Sequence, residues 1–214
     1  MTDNPSIELY QSITVEGSKA VLDAFRAALI AGVRDPWRLY EPERKASPIG
    51  FEELLVFEQA ETPERQAVRV SFYRKDDAYG LANVTPVKIG QLTRGQYNAI
   101  ATEFSNLFAR PAAEDAGATF QLSEPTVTME VSLGPVAAAA LRRFSAAANQ
   151  SNAAAHPSDH ERLLDAIIAL KGQEIETGAL ARFLTQLHWP SEIAEELASR
   201  IAFGVELLAR NERQ

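Results

Sequence analysis

Cysteine is absent from the 214 residues. That removes disulfides, thiolate nucleophiles and cysteine-held zinc or iron–sulfur centres from consideration. Histidine is scarce, at three residues, and no serine stands in the G-x-S-x-G turn that presents a hydrolase nucleophile. Gly80, Gly90 and Gly95 are too scattered for a Walker or dinucleotide-binding loop. Long apolar runs are missing as well: Val136–Leu141 is typical of the longest, far short of a bilayer span. The first residues show no basic stretch followed by an apolar one, which predicts no signal peptide and suits a cytoplasmic protein. Positive charge is in deficit, with a net charge of −8. Duplex binding draws its affinity from Lys and Arg on phosphates, so this balance weighs against general nucleic-acid binding. No cofactor, metal or membrane partner is expected.

What is present is the composition of a packed globular chain, 46% hydrophobic and 23% charged, which argues against long disorder. Ile7–Val15 reads as a strand. Ser18 is a plausible helix cap, with Val21, Leu22, Phe25, Ala28 and Leu29 at helical spacing behind it. Asp35–Gly50 carries three prolines, which exclude a long helix or a central strand and predict a loop. Glu52–Gln59, Ala67–Arg74 and Tyr79–Val87 read as an antiparallel meander, joined by the Ile7 strand. Thr93 and Gln96 have the spacing of a capping box. The stripe Tyr97, Ile100, Phe104, Leu107 and Phe108 follows, and Arg110-Pro111 is expected to end it. Thr119–Leu133 is ambiguous, with one alternating stretch and no evident partner.

From Gly134 onward the pattern is helical throughout. The expected buried stripes are Ala137, Leu141, Phe144 and Ala148; then Leu163, Leu164, Ile167 and Ile168; then Leu180, Phe183, Leu184 and Leu187; then Ile193, Leu197, Ile201, Val205 and Leu208. Ser158 and Glu161 read as a capping box, and Thr177 as a further cap. The expectation is therefore an α+β fold: a small antiparallel sheet with helices on one face, followed by a C-terminal helical bundle. Residues 1–133 would form the first domain and 134–214 the helical region packed on it, or one continuous domain.

Candidate sites are few. Trp37, Arg38 and Tyr40 in the proline-rich loop are the best partner-binding candidates, because aromatics and Arg dominate interface energetics; the competing reading pins both rings to the core. Arg142 and Arg143 are a second candidate for an acidic partner or phosphate, against the simpler reading of a solvated face. His156, Asp159 and His160 form the densest polar cluster. They suggest either a helix start or, as the alternative function, a small hydrolase or transferase with a diffuse active site around His156–Arg162. His188 is expected to pack beside Trp189 or to bond the last carbonyls of its helix. With no concentrated chemical equipment and several helices whose apolar faces need covering, the favoured function is a non-catalytic protein-interaction module. A bacterial antitoxin, immunity protein or accessory subunit of a defence or regulatory system would fit. The expected partner is another protein, and self-association is left open.

Overall fold

The structure, a computed structural model, describes residues 5–41, 50, 52–63, 65–152, 154–173 and 175–211. Residues 42–49 of the proline-rich stretch lie outside that set. The chain divides into two compact units, Leu9–Pro125 and a second made of Thr126 onward with the chain's start through Glu8. Among the described residues no helix is long and apolar enough to cross a membrane.

The first unit is a six-stranded antiparallel sheet. Its strands are β2 (Ile13–Glu16), β3 (Trp37–Leu39), β4 (Glu53–Gln59), β5 (Val68–Lys75), β6 (Ala78–Pro86) and β7 (Thr119–Leu122), ordered β3-β4-β5-β6-β2-β7. Alternation explains the sheet's two faces. Val68, Val70 and Phe72 of β5 are buried, while Arg69, Ser71 and Tyr73 between them are half-buried on the opposite side. The β5–β6 turn is tight, with Lys75 opposite Ala78 and Asp76 at φ 52°, a conformation Asp tolerates better than most residues. The inner face is covered by α1 (Lys19–Gly32), α2 (Arg94–Phe104) and α3 (Arg110–Ala116), whose Leu22, Phe25, Leu29, Ile100 and Phe104 complete the core. Ser18 caps α1, and Thr93 with Gln96 forms the expected reciprocal box on α2.

Three local expectations are corrected. The proline-rich stretch is not all loop: Trp37–Leu39 pairs with β4, and it does so at the sheet edge, where proline neighbours are tolerated. The helix after Thr93 does not stop at Pro111. It passes through a π-helical stretch, Ser105–Ala109, and continues as α3, with Pro111 in the first turn. Proline lacks the N–H that would continue this ladder, and it follows directly on the wider turn in which Arg110 N–H bonds Ser105 C=O. Finally, Ile7–Val15 is two strands rather than one. The break is stabilised by the buried Asn98 of α2, whose side chain accepts from Gln11 N–H (2.8 Å) and donates to Leu9 C=O (2.8 Å). Those backbone groups would otherwise be unpaired.

The second unit opens with β1 (Ser6–Glu8), which pairs antiparallel with β8 (Thr126–Thr128). That resolves the ambiguous segment: Thr119–Leu122 joins the large sheet, Thr126–Thr128 the small one, and Met129–Leu133 is a short helix, α4. Then come α5 (Pro135–Ala147), α6 (Pro157–Ala169), α7 (Thr177–Gln186) and α8 (Ser191–Asn211). Leu141, Phe144, Leu163, Leu180, Phe183, Leu184, Leu197 and Ile201 are buried between them. Trp189 stacks on Phe144 (5.3 Å, 15°) and donates to Ser145 Oγ (2.9 Å), which satisfies the indole N–H. Two caps differ from expectation. His156, not Ser158, caps α6, its Nδ1 accepting from Ser158 N–H, and Pro157 occupies the first helical position; the helix thus starts a turn's fraction earlier than the Ser158–Glu161 spacing suggests. Glu176, not Thr177, caps α7.

Candidate functional site

The predicted site residues fall in both units. In the sheet unit, strand alternation sends Trp37 and Arg38 to opposite faces. Trp37 is 1% exposed, set edge-on to Phe104 (5.0 Å), with its Nε1 directed at Glu103 Oε1 (3.4 Å). A partner arriving from solvent therefore meets Arg38 and Tyr40 rather than the indole. Arg38 and Arg69 both donate to the buried carboxylate of Glu58 (2.6 and 2.9 Å), and the Arg69 guanidinium lies 3.9 Å over the Tyr40 ring. The hydrogen bond from Arg38, joined by Arg69 and opposed by burial, holds Glu58 below the usual carboxylate range.

A second polar cluster in that unit went unnoticed in the sequence, because its members are far apart. Tyr79 O–H donates to Glu53 Oε2 (2.5 Å), Arg26 to Glu53 Oε1 (2.6 Å), and buried Arg74 to Asp23 (2.6 Å). Burial, then the bond to Glu53, raises the Tyr79 pKa far above its ordinary value, so the phenol stays protonated. Its oxygen is a donor locked onto a carboxylate, and the cluster ties α1 to the sheet.

In the helical unit, Arg142 and Arg143 diverge. Arg142 pairs with Glu130 and lines a cleft of about 1070 Å³ with Pro5, Ser6, Gln150, Thr185 and His188. Gln150 Nε2 spans Ser145 C=O (3.3 Å) and Leu187 C=O (3.0 Å), so the cleft's amide joins the ends of α5 and α7. His188 ends α7 in the left-handed region, φ 73°, its N–H on Thr185 C=O. Arg143 is exposed, beside Arg162 and Asp165. The His156–His160 cluster does not converge either. Asp159 is buried, accepting from Asn149 N–H (3.1 Å) and Arg162 (2.8 Å), whereas His160 points to solvent. Among the described residues no group of three His, Asp or Glu is arranged to hold a metal.

The feature that does stand out is apolar. Leu164 and Ile168 on α6 are 44% and 60% exposed, and Phe203 and Leu207 on α8 are 62% and 50% exposed. Leu164 and Ile168 were expected in the buried stripe with Leu163 and Ile167; the helix buries the latter two together with Asp159 and Ala166, which rotates Leu164 and Ile168 outward. Phe203 and Leu207 lie off the stripe Leu197, Ile201 and Val205 that α8 does bury. The four belong to one surface. The Ile167 side chain lies against Gly204, where a Cβ would come within 2.9 Å of it, so α6 and α8 approach closely at that level. Leu164 and Ile168 flank Ile167, and Phe203 and Leu207 flank Gly204. The signal in the sequence was a pair of large apolar residues four apart on the polar side of an amphipathic helix. Comparison with family models, curated proteins and solved structures finds no match to this chain.

Proposed function

We propose that this protein acts in the cytoplasm by protein–protein contact, without catalysing a reaction of its own, through the α6–α8 face. A chain of the antitoxin, immunity-protein or accessory-subunit kind works in this way, by covering or recruiting its partner. The observation that carries the reading is the set Leu164, Ile168, Phe203 and Leu207. If a large apolar residue offers roughly 200 Å² when free, they expose on the order of 400 Å², enough for the apolar centre of an interface. Around them stand charged groups, Glu196, Arg200, Glu206 and Arg210, the polar rim that interfaces carry. The polar clusters elsewhere are engaged in holding helices and strands together, which supports the same reading.

The test is affinity capture from host cells with two baits, the natural chain and Phe203→Lys. The natural bait should retain a stoichiometric protein, its own untagged copy included, that the variant loses. Equal retention by both, or turnover of a small molecule by the purified chain, would overturn the proposal.

A further inference from the structure

The face on α8 is complementary in charge to itself. Position along the helix gives the outward seam: Glu196, Ser199, Phe203, Leu207 and Arg210 recur at spacings of three and four, the repeat with which helices pack side by side. Reading the seam backwards from Phe203 brings Arg210 opposite Glu196, Leu207 opposite Ser199, and Phe203 opposite itself. Glu206 falls level with Arg200. These two ionic levels each meet the opposite sign, Glu195 falls level with the neutral Asn211, and Phe203 lies at the centre. A two-fold axis through Phe203 produces this pairing, because a two-fold contact presents the same patch from both sides.

We propose that the occupant of this face is a second copy of the chain, with α8 packed antiparallel on α8 of the other copy about Phe203. This rests on the reading of the α6–α8 face as a docking surface and names its partner. The level of α6 fits. Ile167 lies on Gly204, one residue from the axis, so Leu164 and Ile168 stand beside Phe203 and extend the apolar centre symmetrically. The exposed apolar area, on the order of 400 Å² per copy, is about half of the roughly 800 Å² that a stable interface takes from each partner, leaving the remainder to the charged rim. A partner of other sequence would need to reproduce the alternation of acid, apolar and base; a second copy supplies it by construction. Gly204 and Ala202 also keep the flanks of α8 low, so the seam residues are the ones that protrude.

The experiment is sedimentation velocity on the full chain and on two single charge reversals, Glu196→Arg and Arg210→Glu. The natural chain should sediment at twice 23.4 kDa at tens of micromolar. Each reversal puts like charges face to face twice and should raise the dissociation constant at least about tenfold. An equimolar mixture of the two reversals should form dimers again, because the basic group at position 196 of one variant then faces the acidic group at position 210 of the other. Circular dichroism on each variant checks that the exposed changes leave the fold intact. A monomeric natural chain at 100 µM would overturn the proposal, as would single reversals that dimerise like the natural chain or a mixture that stays monomeric. A monomer that still loses a captured host protein on Phe203→Lys would sink the self-association alone and leave the docking surface standing.

Discussion

Replacing Trp37 by alanine separates core from surface most sharply. The indole is 1% exposed and touches Phe104 and Phe108 at ring-centroid distances of 5.0 and 6.5 Å. It also directs its N–H at Glu103, a carboxylate shared with Gln59 (3.4 Å) and Arg65 (2.7 Å). Removing a buried Trp costs about 3–5 kcal/mol, through lost transfer energy plus the cavity left behind. Edge strand β3 limits collapse into that cavity, since its register is fixed by Trp37–Gln59 and Leu39–Phe57 pairing. A domain has about 5–15 kcal/mol in total, so Trp37→Ala removes about a fifth of it or more. For a unit of this size the midpoint should fall by roughly 10–20 °C. Tyr40→Ala is the control: it loses a cation–π contact with Arg69 at a half-exposed site, worth about 0.5–1 kcal/mol. Differential scanning calorimetry and urea unfolding followed by circular dichroism measure both. A Trp37→Ala variant within about 1 kcal/mol of the natural chain would refute the burial argument and return the indole to the list of docking groups.

Asp159→Ala should cost about 1–3 kcal/mol, because Asn149 N–H and Arg162 lose a buried acceptor, whereas Ser158→Ala, no longer a cap, should stay within about 0.5 kcal/mol; urea midpoints decide between them. Gly80→Ala places a Cβ 2.8 Å from the Tyr73 ring and should destabilise by about 1–3 kcal/mol, with a shift in the Tyr73 ring resonances by NMR. Glu58 contributes to stability only while ionised. Its folded pKa is depressed, so the contribution is complete above the ordinary value of 4.5 and fades as pH falls through the folded value. The stability gap between the natural chain and Glu58→Gln should therefore be constant near neutrality and shrink in acid; a gap that widens with acid would contradict the assignment.

Periodicity exposed much of this architecture because the strongest elements satisfy it locally. Val68, Val70 and Phe72 alternate as the sheet requires, and Thr93 with Gln96 closes its own cap. The failures came where a distant residue decides. The break in Ile7–Val15 depends on Asn98, far along the chain on α2. The partner of Thr126–Thr128 is the chain's first strand. Pro111 looked like a stop because the π-helical stretch that carries the helix past it leaves no local mark. The candidate face was half legible. Leu164 and Ile168 were visible as apolar residues at helical spacing, but a stripe four residues wide has two edges, and which edge turns outward depends on how closely α6 approaches Gly204. Phe203 and Leu207, apolar residues off the expected stripe of α8, were not read as a site from the sequence.

The central claim is that the α6–α8 face is covered by protein in the cell, and photo-crosslinking from within it is the most direct test. A photoreactive phenylalanine analogue at position 203 would probe the face. The same analogue at position 89, where Ile89 is fully exposed in the other unit, would serve as the control. The account predicts a discrete protein adduct from position 203 on irradiation of living cells, with none of that mass from position 89. Irradiation that leaves the position-203 chain free of any protein adduct, while it stays folded and expressed, would contradict the account.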